Sequence, residues 1–303
     1  MIHADAHLAR RLEAIVCTEW RLLAGTTRSL WPEKGATCLE VAGGVALWLG
    51  EGSLVNVAAG LAMEGPIGES ELTQVEDFYT MRGAPPVLAT CAFADPTLFA
   101  LLSRRGWQIT EFENVLALEL GRPAGEAGTG AGAAGMGAGK AGMGAGAEPG
   151  GPPALGEPPG APGPPPRVDV RVCVGAEREL WAHIAARGFS DEAEPGPAQE
   201  EFGSIMAARD DAILVLGWAD GQPAGTGALV IDDGVGWLSG DSTLPRFRCR
   251  GVQQAIQHRR LHLARDAGCA LAVTEAAPGS GSQRNMERLG FRVVYTHVEF
   301  TKV

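Results

Sequence analysis

The sequence lacks the features that mark disulfide-rich, zinc-ribbon and membrane-spanning proteins. Its six cysteines are scattered and form no CxxC pair, which argues against a disulfide framework or a zinc ribbon. No basic stretch followed by an apolar one stands near Met1, and the longest apolar runs are interrupted, as at Gly50 and Glu51. We therefore expect a soluble, cytoplasmic protein in a reducing compartment, with no membrane partner.

Positive charge is also scarce in this chain. It has 36 acidic residues against 25 lysines and arginines, for a formal net charge of −11. This balance argues against nucleic acid as a partner, because phosphate backbones repel an acidic surface. Apolar side chains are abundant instead: they make up 45% of the 303 residues, enough to build one or two hydrophobic cores.

One segment with few large side chains divides the chain. Residues 121–166 are almost entirely Gly, Ala and Pro. Such a segment buries too little area to offset the entropy lost on ordering, so we predict a disordered linker. The predicted organisation is an N-terminal unit at 1–120, the linker at 121–166 and a C-terminal unit at 167–303.

The C-terminal unit alternates patterns typical of strands and helices. Asp220-Gly221 is a strong hairpin signal between the apolar segments 212–219 and 223–231. A short strand is predicted at 235–238, and apolar residues at helical spacing predict a helix at 252–267. The pattern indicates an α/β fold with a mixed sheet, in which hairpins come first and one crossover helix follows.

An arginine-rich turn between this strand and this helix is the most informative motif. The segment LPRFRCRGVQQA places Arg246, Arg248 and Arg250 just before Gly251. A strand-to-helix turn directs several backbone N–H groups into one space, with the positive end of the helix dipole behind them. Guanidinium groups bind phosphate oxygens in fork geometry, and glycine lets the main chain approach a bulky anion. The motif predicts a pyrophosphate site; the alternative is a surface turn with solvated charges.

Residues 240–291 resemble the core of the GNAT superfamily of acyl-CoA-dependent N-acyltransferases. The stretch RCRGVQ at 248–253 fits the family's pyrophosphate loop, Q/R-x-x-G-x-G/A, except at Gln253. The resemblance implies a mostly antiparallel GNAT-type sheet flanked by helices, acetyl-CoA as co-substrate and no metal. It implies cofactor contacts from the strand end, the loop and the following helices: Ser242, Thr243, Leu244, Arg248, Cys249, Arg250, Gly251, Val252, Gln253, Gln254 and Asn285.

Acyl transfer by direct attack requires a base for the ammonium proton. Asp241, at the end of the strand that leads to the CoA loop, is the first candidate; Glu275 is the second and Glu299 the third. In relatives, a tyrosine four residues before a Gly-Phe pair protonates the leaving thiolate. Here that position is Met286, so either Tyr295 replaces it or CoA leaves as a thiolate.

The N-terminal unit looks like a degenerate copy of the C-terminal one. Thr90 and Thr274 are 184 positions apart, and so are Gly106 and Gly290, with the same order of elements around them. The loop that corresponds to the arginine-rich turn, 64–68, contains no arginine and carries a glutamate. We therefore expect two tandem GNAT-like units with one CoA site.

These observations favour an N-acetyltransferase that moves an acetyl group from acetyl-CoA to the amine of a small molecule or peptide in a ternary complex, as a monomer or homodimer. An alternative hypothesis is a catalytically weak or inactive CoA-binding regulatory module, because Met286 replaces the usual acid. A third is a structural or interaction protein without a CoA site. The sequence leaves the acceptor and the role of the N-terminal unit open.

Overall fold

The computed structural model describes residues 2, 4–121, 168–189 and 194–302. The segment predicted as a disordered linker lies outside the described residues except for Gly121. Within the described ranges, no helix is both long enough and apolar enough to span a membrane.

The N-terminal part begins with a long helix, α1 (Ala6–Leu30), which starts where the Asp5 side chain accepts a hydrogen bond from the backbone N–H of Leu8. Two more helices and five strands follow: β1 (Thr37–Val41), β2 (Gly44–Trp48), β3 (Ala58–Ala59), α2 (Glu69–Thr80), β4 (Val87–Cys91), α3 (Pro96–Arg104) and β5 (Gln108–Glu119). Asp95 caps α3 in the same way, ahead of a proline at its first position.

The C-terminal part contributes six strands and four helices: β6 (Val168–Val172), α4 (Glu177–Phe189), α5 (Pro197–Ala208), β7 (Ala212–Ala219), β8 (Gln222–Asp232), β9 (Val235–Thr243), α6 (Val252–Asp266), β10 (Leu271–Ala276), α7 (Gly281–Arg288) and β11 (Arg292–Thr301). The hairpin predicted at Asp220-Gly221 is confirmed, since both residues have positive φ and join β7 to β8. The strand predicted at 235–238 was too short, because β9 continues through five polar or small residues, of which Ser239, Ser242 and Thr243 pair with β8.

The eleven strands of the described residues belong to one sheet, in the order β1-β2-β3-β4-β11-β5-β10-β9-β8-β7-β6. The last strand of each part lies inside the other part. Strand β5 lies between β11 and β10, and β11 lies between β4 and β5. Within the described part of the chain, only the β3–β4 and β9–β10 pairs are parallel, so the predicted mixed, mostly antiparallel sheet is confirmed.

The exchanged strands reveal the internal repeat. Strands β5 and β11 pair antiparallel from Gln108 with Thr301 at one end to Ala117 with Arg292 at the other. In the middle, Glu113 pairs with His297, the residue 184 positions further along the chain. Each strand therefore lies beside its own copy, related by an approximate two-fold axis near this pair. Two tandem units are joined across a single continuous sheet.

Helix α1 covers the junction on one face of the sheet. Its Ala9, Leu12 and Ile15 pack against residues of β5, β9, β10 and β11, among them Val115 and Val273. Both of those valines are fully buried, and burial of such a side chain contributes about 1.5–3 kcal/mol. One helix of the N-terminal part thus stabilises strands from both parts.

Because each part holds a strand of the other, separating the parts would expose unpaired strand edges and the apolar face beneath α1. We predict that a protease site inserted in 121–166 can be cut without releasing either fragment. Under native conditions the two fragments should co-elute in size-exclusion chromatography at the volume of the uncut control, and separate only in denaturant. Native elution as two smaller species would contradict the exchanged topology.

Candidate active site

A gap opens in the sheet where β9 and β10 diverge. The two strands pair in parallel up to Leu238 with Thr274, yet β9 continues to Thr243 and β10 to Ala276. The divergence follows a β-bulge in the β8–β9 pairing, where Gly240 has φ +63°. A Cβ at Gly240 would lie 2.9 Å from the ring of Trp181, so glycine is required by both conformation and space.

The arginine-rich turn follows β9 on the edge of this gap. After a short 3₁₀ turn, Cys249 and Gly251 both have positive φ, and Gly251 is the N-cap of α6. No side chain of the described residues caps this helix, so its first-turn N–H groups remain available to a ligand. Alternating left-handed and right-handed residues ahead of a helix dipole produce a concave set of amides suited to an anion.

These amides line a cleft of about 750 Å³ between α4, α6 and α7. Nine of the eleven residues expected to contact the cofactor lie along it: Ser242, Thr243, Arg248, Cys249, Gly251, Val252, Gln253, Gln254 and Asn285. The other two point elsewhere. Leu244 packs into the hydrophobic core, and the Arg250 guanidinium donates to Asp220 at 2.5 Å on the β7–β8 turn.

A side-chain bridge crosses this cleft. The Asn285 amide nitrogen donates to Gln253 Oε1 at 2.7 Å, and Asn285 Oδ1 accepts from Arg288 at 2.8 Å. Gln253, which stands where the family pattern has a small residue, therefore links the start of α6 to α7.

Asp241 is held on the cleft side by a buried arginine. The bulge at Gly240 turns its carboxylate towards α6, where Oδ1 accepts from Gln257 at 2.8 Å and from Arg260 at 2.5 Å. Arg260 is fully buried and also donates to two backbone carbonyls of β8 and β9. Asp241 thus balances an interior charge that would otherwise be costly.

The opposite face of the gap holds a second cavity, of about 350 Å³, beneath α1 and α5. Side chains alternate along a strand, so Val273 faces α1, Ala272 faces α6, and Glu275 points to the α1 face. The cavity is lined by aromatic side chains and by carboxylates. The aromatic residues are Trp20, Phe202 and Trp237, and the carboxylates are Glu19, Glu111, Glu113, Glu275 and Glu299.

Strand exchange gathers these carboxylates. Glu275 lies opposite Val115 on β5, and Glu111 lies opposite Glu299 across the β5–β11 pair. Like charges directly opposite one another destabilise a sheet, and among the described residues no lysine or arginine pairs with Glu111 or Glu113. The pKa of Glu113 is raised to about 7, mainly by burial and further by the nearby carboxylates of Glu275 and Glu111.

A buried histidine joins the two parts at the wall of this cavity. His297 Nδ1 lies 3.0 Å from Glu275 Oε1, and its Nε2 lies 2.6 Å from Glu13 Oε1 on α1. The Tyr295 hydroxyl also donates to Glu13, at 2.7 Å. Burial and the adjacent carboxylate of Glu13 raise the pKa of Tyr295 well above its ordinary value, so releasing its proton requires the Glu13 contact to change.

Two further positions considered from the sequence lie away from the gap's centre. Met286 on α7 is buried in the core, where it packs near Phe291. The Glu299 carboxylate accepts from the Thr110 hydroxyl at 2.8 Å at the far end of the cavity. Within the described ranges, no group of three or more His, Cys, Asp or Glu side chains is arranged to hold a metal ion.

Residues 178–291 match the profile of the Acetyltransferase (GNAT) family. The C-terminal part contains a GNAT domain. A search of curated proteins gave no match for this chain.

Solved structures extend the likeness in fold beyond the GNAT domain. A GCN5-related N-acetyltransferase from Kribbella flavida is similar at 20% identity over 92% of this chain and 95% of that one, with a TM-score of 0.54. A tandem GNAT protein from the clavulanic acid biosynthesis pathway is similar at 13% identity over 86% of this chain and 78% of that one, with a TM-score of 0.52. Both likenesses concern the fold, and the second supports two GNAT-like units.

Sequence reasoning missed Glu13, Glu113 and His297. A signal for the strand residues was present, because polar side chains recur at every second position at 111 and 113 and again at 297 and 299. Glu13 carried no such signal, since a glutamate in an otherwise regular helix is expected to be exposed to solvent. Its contacts with Tyr295 and His297 depend on the exchanged strand β11.

The raised pKa of Glu113 generates a stability prediction. Its pKa in the folded chain, about 7, exceeds the ordinary value of 4.5 for a glutamate carboxyl. The destabilising cost of its ionisation therefore begins above pH 4.5 and is complete above pH 7. We predict that Glu113→Gln raises the melting temperature at pH 8, by about 2–4 °C for each kcal/mol recovered, and leaves it unchanged near pH 4.

Thermal denaturation at the two pH values checks this prediction, with the exposed Glu51→Gln as the matched control. An equal gain at pH 4 and pH 8, or the same pH dependence in the control, would contradict it.

Proposed function

We propose that this chain is an acetyl-CoA-dependent N-acetyltransferase. The observation that carries the proposal is the gap between β9 and β10, with an amide-lined cleft on one face and a carboxylate-lined cavity on the other. A thioester inserted in such a gap from one face meets an amine that enters from the other. Positioning of this kind supplies most of the catalysis that acyl transfer needs.

Acetyl-CoA would occupy the cleft of the GNAT domain. The amides around Gly251 would hold the diphosphate with Arg248 beside it, and the β9 residues Ser242 and Thr243 would flank the pantetheine arm. Asn285 would contact the pantetheine amides once its hydrogen bond to Gln253 is exchanged for the ligand. Cys249, Val252 and Gln254 would line the same path, while Leu244 and Arg250 would support it from outside.

The acceptor would be a small-molecule amine that binds in the second cavity as its ammonium form. Carboxylates without a lysine or arginine partner among the described residues attract a cation, and the indole faces of Trp20 and Trp237 favour one as well. A volume of about 350 Å³ suits a small molecule better than a folded substrate.

Glu275 is the best-placed base among the carboxylates proposed from the sequence. It follows the last β9–β10 pair directly and opens onto the acceptor cavity. Its carboxylate would take one proton from the ammonium; the amine nitrogen would then attack the thioester carbon. A β9 backbone N–H on the open side of the gap would stabilise the oxyanion. The C–N bond forms as the C–S bond breaks, CoA leaves as a thiolate, and the second proton of the amine nitrogen passes through water to that thiolate.

We propose that the chain consists of units at 1–120 and 167–303 joined by 121–166. The first unit would close the sheet and supply carboxylates to the acceptor cavity. Because the repeat already forms a two-fold arrangement within one chain, a monomer is sufficient for one complete site. The six free cysteines suit a cytoplasmic, reducing environment.

A CoA-binding regulatory module is the second candidate function. The core position of Met286, where relatives carry a proton-donating tyrosine, favours it. Such a module would bind acetyl-CoA in the same cleft without steady thiol release.

Thiol release from acetyl-CoA, measured with a panel of cationic amines, separates these functions and tests the base. We predict steady turnover, a fall in kcat/KM of about 10²- to 10⁴-fold for Glu275→Gln, and a smaller fall for Asp241→Asn. The Asp241 variant should instead lower the melting temperature, because Arg260 loses its counter-charge.

Two outcomes would contradict parts of this account. A larger loss in Asp241→Asn than in Glu275→Gln would make Asp241 the base, as first expected from its position. Tight acetyl-CoA binding with no turnover for any amine would favour the regulatory module.

A further inference from the structure

The Glu13–His297–Glu275 chain spans the two parts of the molecule. Glu13 belongs to α1, His297 lies on the exchanged strand β11, and Glu275 ends β10 of the GNAT domain. The imidazole lies within hydrogen-bond distance of both carboxylates, one at each ring nitrogen. An imidazole that contacts two carboxylates in this way donates from both nitrogens when it is protonated.

Burial makes the contact between Glu13 and His297 sensitive to charge. The Glu13 side chain is 1% exposed, and its Oε2 has no hydrogen-bond partner among the described residues. A buried carboxylate needs a counter-charge, and of the two side chains that contact Glu13, Tyr295 and His297, the imidazole of His297 can carry one. Burial alone would lower the pKa of the His297 imidazole, but the carboxylates of Glu13 and Glu275 outweigh burial and hold that pKa well above its ordinary value.

The surroundings of His297 are otherwise acidic or weakly polar. Titratable groups face it from every strand and helix packed around it: Glu13 on α1, Cys91 on β4, Glu111 and Glu113 on β5, Glu275 on β10, and Tyr295 and Glu299 on its own strand. Burial and the nearby Glu13 raise the pKa of the Cys91 thiol to about 12, so that group stays neutral. The imidazolium is thus the positive charge among these carboxylates.

We propose that Glu13 and His297 are positioning residues for the acyl-transfer step. Held in charged form by Glu13, the imidazolium binds Glu275 Oε1 and so fixes the orientation of that carboxylate. The other oxygen, Oε2, is then presented to the acceptor cavity. This inference rests on the proposed function, because it assigns a partner to the proposed base.

The proton balance of the step leaves His297 unchanged. One proton passes from the substrate ammonium to Glu275 Oε2, and the freed nitrogen forms the C–N bond as the C–S bond to CoA breaks. The second nitrogen proton passes through water to the CoA thiolate. His297 already carries both ring protons, so it stabilises and orients the carboxylate without accepting a third. The acceptor site is therefore complete only when α1 of the N-terminal part is in place.

Glu13→Gln and His297→Gln test the proposal in the full-length chain. Each should lower kcat/KM by about 10- to 100-fold, less than the roughly 10²- to 10⁴-fold expected on losing a general base. The loss should lie in kcat and in the KM for amine. The KM for acetyl-CoA should stay unchanged, because the cleft lies on the other face of the sheet.

The pH profile supplies a readout that a merely structural role does not move. In both variants the acid limb of kcat/KM should shift to higher pH, because the cavity carboxylates lose a neighbouring positive charge. In Glu13→Gln this happens through His297, which becomes neutral once burial is no longer opposed by Glu13. The double variant should lose no more activity than either single one, as expected for residues that act as a unit.

Thr296→Val is the matched control. It removes the hydrogen bond from Thr296 to Asn114 on the opposite face of the same strand, and should leave the acid limb in place. If Glu13→Gln does not fold, His297→Gln carries the same test.

The results separate this inference from the proposed function. If the wild-type chain releases thiol but the variants keep the wild-type acid limb, the positioning role is overturned and the proposed function stands. The same holds if the losses of the two single variants add up in the double variant. A wild-type chain that releases no thiol with any amine would overturn the proposed function and this inference with it.

Discussion

The pairing of β5 with β11 is the constraint on which the rest of the structure depends. Each strand ends one repeat and is built into the sheet of the other, so neither part has a complete sheet alone. Their antiparallel register brings Glu113 beside His297, its own counterpart in the repeat, near an approximate two-fold axis. The two copies differ at these positions, with a glutamate at 113 and a histidine at 297. Both side chains line the cavity, so the repeat is asymmetric there.

A second constraint separates the two sides of the candidate site. The bulge at Gly240 directs Asp241 to α6, while the regular alternation of β10 directs Glu275 to α1. One carboxylate therefore balances buried Arg260 beside the anion-binding cleft, and the other opens onto the acidic cavity. This division places the proposed anion site and the proposed cation site of a chain with a net charge of −11 on opposite faces of one sheet.

Much of the local structure could be predicted from the sequence, and the long-range arrangement could not. The hairpin at Asp220-Gly221 and the glycine that starts α6 follow from local conformational preference. The internal repeat was readable from residues 184 positions apart. The exchange of β5 and β11 was not, because both strands have the same alternating pattern whichever neighbour they pair with. The contact between Glu13 and His297 depends on that exchange, which is why the sequence did not predict it.

A structure with a bisubstrate conjugate, in which coenzyme A is joined through its sulfur to a small cationic amine, tests the central claim most directly. The account predicts the diphosphate on the amides around Gly251, the linker through the gap between β9 and β10, and the amine nitrogen within hydrogen-bond distance of Glu275. A conjugate whose amine lies on the α6 side, away from the cavity beneath α1, would contradict it.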